Sequence, residues 1–369
     1  MMADCLAGMK VLDLSQWLPG PHATQLLADL GAQVLKVEPP AGDPARALGV
    51  RGPDGLSLFY RSVNAGKRVL RLDLKQAGDR DQLLRLVGRA DVLLESYRPG
   101  VLARLGLAPE RLRALNPRLV HTALSGWGQT GPAARRAGRA GTSPAVGGGR
   151  ARPGRAERPV SPSPPVADMA SAMQAVLATL AALLRRATTG QGGFVDVSLM
   201  ETVLGWQGQT LTLERHGGGA EPRGGGLLNG GTAFYNLYRT AEGRWISLGA
   251  VEAKFWENFC RAVGRPDWIA RQDEALPQTA LTAELAALFA SRDRAAWQAL
   301  LDPVGCCFGA LLEPAEVARH PQVAARGLVL ERGGLVQTLL PALLDGQGPR
   351  ARPEVAEIGA ADALAAWGA

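Results

Sequence analysis

Cysteine is scarce in this 369-residue chain. Its four residues, Cys5, Cys260, Cys306 and Cys307, show none of the spacings that hold a metal ion. The adjacent Cys306 and Cys307 lie in an apolar stretch and read as packing rather than redox chemistry. Aromatic residues make up only 5% of the chain, and no basic run is interleaved with them, which argues against nucleic acid as a partner. Long apolar runs are also missing. The longest, around Met173 to Leu184, is too short and too rich in alanine to be read as a membrane span. The opening "MMADCLAGMKVLDLS" lacks the basic start and apolar core of a signal peptide, so a cytoplasmic location is expected. Lysine is rare beside arginine, a skew we read as compositional habit.

What is present is an ordinary globular balance, 46% hydrophobic and 20% charged, with enough chain for two or three domain-sized cores. The net charge of +7 fits a mildly basic surface, or a preference for polyanions such as nucleotides and phosphates.

The N-terminal half alternates strand and helix. "KVLDLS" reads as a buried strand, "PGPHATQLLADLG" as a turn and helix closed by glycine, and "AQVLKVEPP" as a strand stopped by prolines. A second such unit follows in "KRVLRLDLK", "DRDQLLRLVGRA" and "DVLLESY". Two short helices and the strand "LVHTALSGW" come next. The expected fold class is α/β: a Rossmann-like, doubly wound parallel sheet, with ligands beyond the carboxyl ends of its strands. Residues 150–165 are rich in Pro, Ser and Arg and read as a loop. A long alanine-rich helix then runs towards Gly190. The turn glycines and β-rich runs after 224 suggest a smaller α+β domain. The expected organisation is a large domain over 1–223, a small one over 224–325, and a segment over 326–369 returning to the large domain.

Six stretches occur in order: "MKVLDLSQWLPGPHATQLLADLGAQVLKVEPPAGDPAR", "GKRVLRLDLK", "DVLLESYRPGVLARLGL", "NPRLVHTALSGWGQTGP", "TGQGGFVDVSLMETV" and "GGTAFYNLYRTAEGRWISLGAVEAKFW". As an ordered set they resemble the family III coenzyme A transferases of the CaiB/BaiF type, most closely the 2-methylacyl-CoA racemase branch. The resemblance implies a CoA-binding large domain and an interlocked dimer of two chains, a homodimer or a heterodimer with a paralogue. It implies an acyl-CoA thioester as substrate, no tightly bound cofactor, and no metal, nucleic acid or membrane partner.

For the nucleotide, Lys75, Arg98 and Arg104 follow strand ends and are candidates to meet phosphates, while Tyr97 offers a face for adenine. Arg71, Leu72, Asp73 and Leu74 match the strand that lines the nucleotide in the family. Each of these charges, taken alone, reads equally well as surface polarity after a strand. The arginine that the family carries after "KVE" is here Pro39, so one implied phosphate contact is missing.

Racemising a 2-methylacyl thioester requires an acid/base group on each face of the carbon and a donor for the enolate oxygen. The resemblance implies a "GHD" triplet and a later Asp for these roles. Asp168, in "PPVADMASAM", matches the later Asp, and Glu252, in "GAVEAKFW", matches a glutamate that approaches the histidine. The triplet itself reads Gly138-Arg139-Ala140. Arginine is no base near neutral pH, and alanine cannot be the nucleophile that the transferase branch uses. No His or Asp lies between His121 and Asp168, so a shifted loop restores nothing. His121 itself reads as strand packing. Asp168 is left as a single base, with Arg139 a candidate to bind the thioester oxygen or to pair with Asp168 or Glu252. The sequence therefore supports α-proton chemistry on an acyl-CoA, a catalytically silent CoA-binding subunit, or a CoA transferase with Asp168 as substitute nucleophile.

Overall fold

The computed structural model describes residues 1–138, 142–148, 154–155, 157–219 and 221–369. The chain divides into two compact units. One comprises Met1–Gly147, Ser163–Trp206 and His320–Ala369; the other comprises Gly148–Pro162 and Gln207–Arg319. This division assigns residues 148–162, 207–223 and 320–325 differently from the boundaries read from composition.

The first unit is built on a seven-stranded parallel sheet. Its strands are β1 (Lys10–Leu14), β2 (Gln33–Glu38), β3 (Arg68–Arg71), β4 (Val92–Glu95), β5 (Val120–Ser125), β6 (Gly193–Ser198) and a two-residue edge strand, Ala356–Glu357. From edge to edge the order is Ala356–Glu357, β3, β2, β1, β4, β5, β6. The central strands are buried along nearly their whole length, which explains why "KVLDL" and "VLLE" are apolar runs rather than alternating ones.

Helices cover both faces. On one, α1 (Pro19–Asp29) and the long helix Val166–Thr189 pack Leu26, Leu27, Ala172, Ala175 and Leu183 against Val11, Val34, Val120 and Leu124. On the other, the helices Ala77–Val87, Pro109–Leu115 and Ala360–Trp367 cover Leu12, Leu35, Leu70 and Leu93. The long helix stops where Gly190 takes a φ of 71° and donates its N–H to the Arg186 carbonyl. By length and composition this helix is apolar enough to cross a membrane, yet it supplies core side chains to the sheet.

The C-terminal segment is clasped onto α1. Arg352 donates from Nε to Asp29 Oδ1 at 2.6 Å, and Asp29 Oδ2 also accepts the Leu340 N–H at 2.8 Å. The second unit has its own core. A three-stranded antiparallel sheet (Phe308–Ala310, Trp245–Gly249, Tyr235–Arg239) is packed with Trp256, Phe259, Trp268, Phe289 and Trp297.

Strand order reverses between β1 and β4, because the chain builds outwards from β1 through β2 and β3, then returns beside β1 and continues through β4, β5 and β6. Loops leaving the carboxyl ends of β1 and β4 therefore diverge and leave a crevice between them.

Candidate active site

The crevice is a cavity of about 590 Å³ in the first unit. After β1 it is walled by Gln16, Trp17, Leu18 and Pro19, after β4 by Ser96, Tyr97 and Arg98, and at the end of β5 by Leu124, Ser125 and Gly126. Phe59, Gly138, Leu199 and Asp168 complete it. Gly126 and Gly138 pack backbone against backbone. A Cβ on Gly126 would stand 2.8 Å from the Gly138 Cα, and one on Gly138 would stand 2.8 Å from the Trp127 indole nitrogen. The approach of the active-site loop to the strand end thus requires glycine at both positions.

Asp168 is the third residue of the helix Val166–Thr189, not its cap, which is Pro165. Burial in the cavity raises its carboxyl from the ordinary aspartate value to about 6. The first turn of a 24-residue helix favours the charged form, but desolvation outweighs it. The result is a carboxylate ionised at neutral pH and far more basic than a surface aspartate, as proton abstraction requires.

A second, smaller cavity of about 220 Å³ adjoins the first and shares Gln16 and Tyr97 with it. Its walls are Val37, Glu38 and Pro39 at the end of β2, Leu72, Asp73, Leu74 and Lys75 after β3, and Leu105. The apolar side chains and the Tyr97 ring suit a flat heteroaromatic group, with Lys75 available to an attached anion.

Beneath both cavities lies a buried charge network. Lys67 Nζ meets Asp13 Oδ2 at 2.9 Å, and Lys36 Nζ meets Asp43 Oδ2 at 3.1 Å, all four side chains being shielded from solvent. Burial alone would raise Asp13, but the two lysines hold its carboxyl below the usual carboxylate range. Burial lowers Lys67 to about 8 despite its pairing with Asp13. Glu95 is pushed up to about 7 by burial, partly offset by the Tyr97 N–H that it accepts at 2.6 Å, with Asp196 pushing in the same direction as burial. His121 is buried, edge-on to Phe194 and 4.0 Å from Glu95, and burial lowers it to about 4.

Of the residues chosen from the sequence, Tyr97, Arg98, Gly138 and Asp168 meet around the large cavity, and Leu72, Asp73, Leu74, Lys75 and Tyr97 around the small one. Arg71 and Arg104 line neither. Arg71 instead donates to the Pro40 carbonyl at 2.8 Å and pairs with Glu357 at 2.8 Å. Glu252 precedes the helix Ala253–Ala262 of the second unit, is exposed, and makes no side-chain capping bond. Arg139 and Ala140 lie outside the described residues. Gln16, Trp17, Ser96 and Phe59 were not picked out from the sequence. For Gln16, Trp17 and Ser96 the signal was positional, since all three lie within three residues of the end of β1 or β4, where strand order reverses. Among the described residues, no three His, Cys, Asp or Glu side chains gather as a metal site.

Adjoining cavities at the switch point of a doubly wound sheet are the place where open α/β folds bind nucleotide-bearing ligands. The sequence model of CoA-transferase family III matches residues 6–354, and the chain belongs to that family. It is 34% identical over 330 residues to "Alpha-methylacyl-CoA racemase" of Homo sapiens, covering 87% of this chain and 81% of that protein. It is 33% identical over 333 residues to "Succinyl-CoA--D-citramalate CoA-transferase" of Chloroflexus aurantiacus, covering 88% and 83%. A solved CAIB/BAIF family protein from Brucella suis superposes with a TM-score of 0.86 at 27% identity, covering 98% of this chain and 99% of that one.

Proposed function

We propose that this protein binds an acyl-CoA thioester and removes and returns the proton α to its carbonyl, with Asp168 as a single base. The observation that carries this reading is the Asp168 carboxyl, half-buried in the crevice wall and raised to about 6. Above that pH the carboxylate takes the α-proton and leaves an enolate on the thioester. The protonated carboxyl then returns a proton to the same face. Inversion would need a second group opposite Asp168, and the sequence offers no His or Asp between 121 and 168 to supply it. The small cavity takes the adenine, with its ring against Tyr97 and its phosphates towards Lys75 and Arg98.

The test is deuterium uptake. With 2-methylacyl-CoA thioesters in deuterated water, the wild-type protein takes up label with retention of configuration and Asp168→Asn does not. Acyl-CoA binding without uptake refutes the one-base reading. It leaves the second, a silent CoA-binding subunit, which the loss of the His-Asp pair favours. A CoA transferase in which Asp168 is the nucleophile would instead form an acyl-aspartyl adduct, visible as a mass increase on the peptide holding Asp168.

The same reading includes an interlocked dimer. Met173, Leu177 and Leu184, spaced along one side of the long helix, are 59%, 62% and 73% exposed. A second chain lying on this row would bury it, and either a homodimer or a pair with a paralogue fits. Sedimentation of the purified protein as a monomer at micromolar concentration refutes the homodimer.

A further inference from the structure

Three described residues other than glycine have positive φ, and one of them, Trp17, stands in the wall of the large cavity with a φ of 69°. A bulky side chain rarely adopts this backbone conformation, so surrounding structure must impose it. The turn is pinned residue by residue from separate elements. Ser15 donates its N–H to Asp13 Oδ1 at 2.9 Å, and its carbonyl accepts from Lys36 Nζ at 2.6 Å. Gln16 donates its N–H to Ser96 Oγ at 3.1 Å, and Trp17 donates its own to Asp43 Oδ1 at 3.4 Å. Lys36 and Asp43 are in turn paired with each other, and Asp13 with Lys67. The buried charge network thus holds a strained backbone at a place where glycine would sit without strain and leave open space in place of an indole.

We infer that Trp17 sets the acyl specificity of the site. Its indole, with Leu18 and Phe59, lines the cavity that holds Asp168, so its bulk limits the acyl group to a short branched one. Asp13, Lys36 and Asp43 are positioning residues that keep the indole in the wall. This inference rests on the CoA-thioester reading given above, and it concerns the size of the acyl group, which the comparisons leave open.

The experiment is calorimetric binding of free CoA, 2-methylbutanoyl-CoA and dodecanoyl-CoA to the full chain and to Trp17→Gly, Trp17→Ala and Trp17→Phe. The wild-type protein is expected to prefer the branched thioester, and Trp17→Gly to reduce that preference by at least about tenfold, the scale set by a single methylene in an apolar pocket. Free CoA, which carries no acyl group, is the reference against which both ratios are read. Trp17→Phe, which keeps most of the bulk if the smaller variants fail to fold, should give a partial change in the same direction. Trp17→Gly should also melt above Trp17→Ala, since both remove the indole and only glycine suits a φ of 69°. An unchanged ratio in a variant that still binds CoA overturns the specificity role alone. Equal melting of the glycine and alanine variants overturns the strain argument. Failure of wild-type protein to bind free CoA or either thioester overturns the CoA reading and this inference with it.

Discussion

Replacing Asp168 with asparagine separates the role of the carboxylate from its contribution to stability, and the two effects have opposite signs. The folded protein holds this carboxyl at about 6 against an ordinary aspartate value of 3.8. Its ionised form is therefore disfavoured by folding. Below about pH 3 the group is neutral whether folded or unfolded and contributes no penalty. As pH rises from about 4 to about 6 the unfolded chain releases its proton first, so the contribution of Asp168 becomes increasingly destabilising, and it is constant above pH 6. At about 1.4 kcal/mol per tenfold, the interval corresponds to about 3 kcal/mol, reduced to about 1–3 kcal/mol because the side chain retains some contact with solvent. Asparagine keeps the shape and has no charge to desolvate. Asp168→Asn is therefore expected to match wild type at about pH 3 and to exceed it by about 1–3 kcal/mol at pH 7 to 8. The assay is denaturant unfolding of both proteins at several pH values, followed by tryptophan fluorescence. A pH-independent difference between them refutes the claim that the cavity desolvates Asp168, and with it the physical basis for a strong base at that position.

Three further outcomes follow from the geometry. The rate of α-proton exchange should rise with pH through about 6 and level off above it, as Asp168 ionises; an exchange rate falling over that interval would assign the step to an acid instead. Tyr97→Ala should weaken CoA binding by about 1–3 kcal/mol through lost stacking, while Lys75→Ala should weaken it mainly at low salt. Titrations at two ionic strengths distinguish these effects. Arg352→Met should lower stability by about 3–5 kcal/mol, because it leaves the Asp29 carboxylate buried with its main partner gone. Guanidinium unfolding measures the loss, and Asp29→Asn combined with Arg352→Met should recover part of it.

The centre of the sheet was legible in the sequence because its strands are short apolar runs bounded by glycine, proline or charge, the pattern that burial on both faces imposes. The exposed edge strand Ala356–Glu357 carries no such signal. "KVLDL", "QVLKVE" and "VLLE" could hardly be placed elsewhere. Asp168 was legible only through its resemblance to a family motif, since an acidic residue in a helix's first turn is otherwise unremarked chemistry. Its elevated basicity depends on walls contributed by loops far away in sequence. Lys36, Asp13 and Lys67 illustrate the same limit. Within their segments they look like the occasional charge in a strand or turn, and no spacing rule brings residues 13, 36, 43 and 67 together. Parallel pairing does so: the register sets Asp13 beside Lys36 and Lys36 beside Val69, and Lys67, two residues before Val69, reaches Asp13 through its long side chain. Trp17 was invisible for a different reason. Its significance lies in a backbone angle that local preference would deny to tryptophan, and only the surrounding hydrogen bonds explain why the chain accepts it. In this fold, periodicity specifies the layers, while the chemistry collects where strands that are distant in sequence end together.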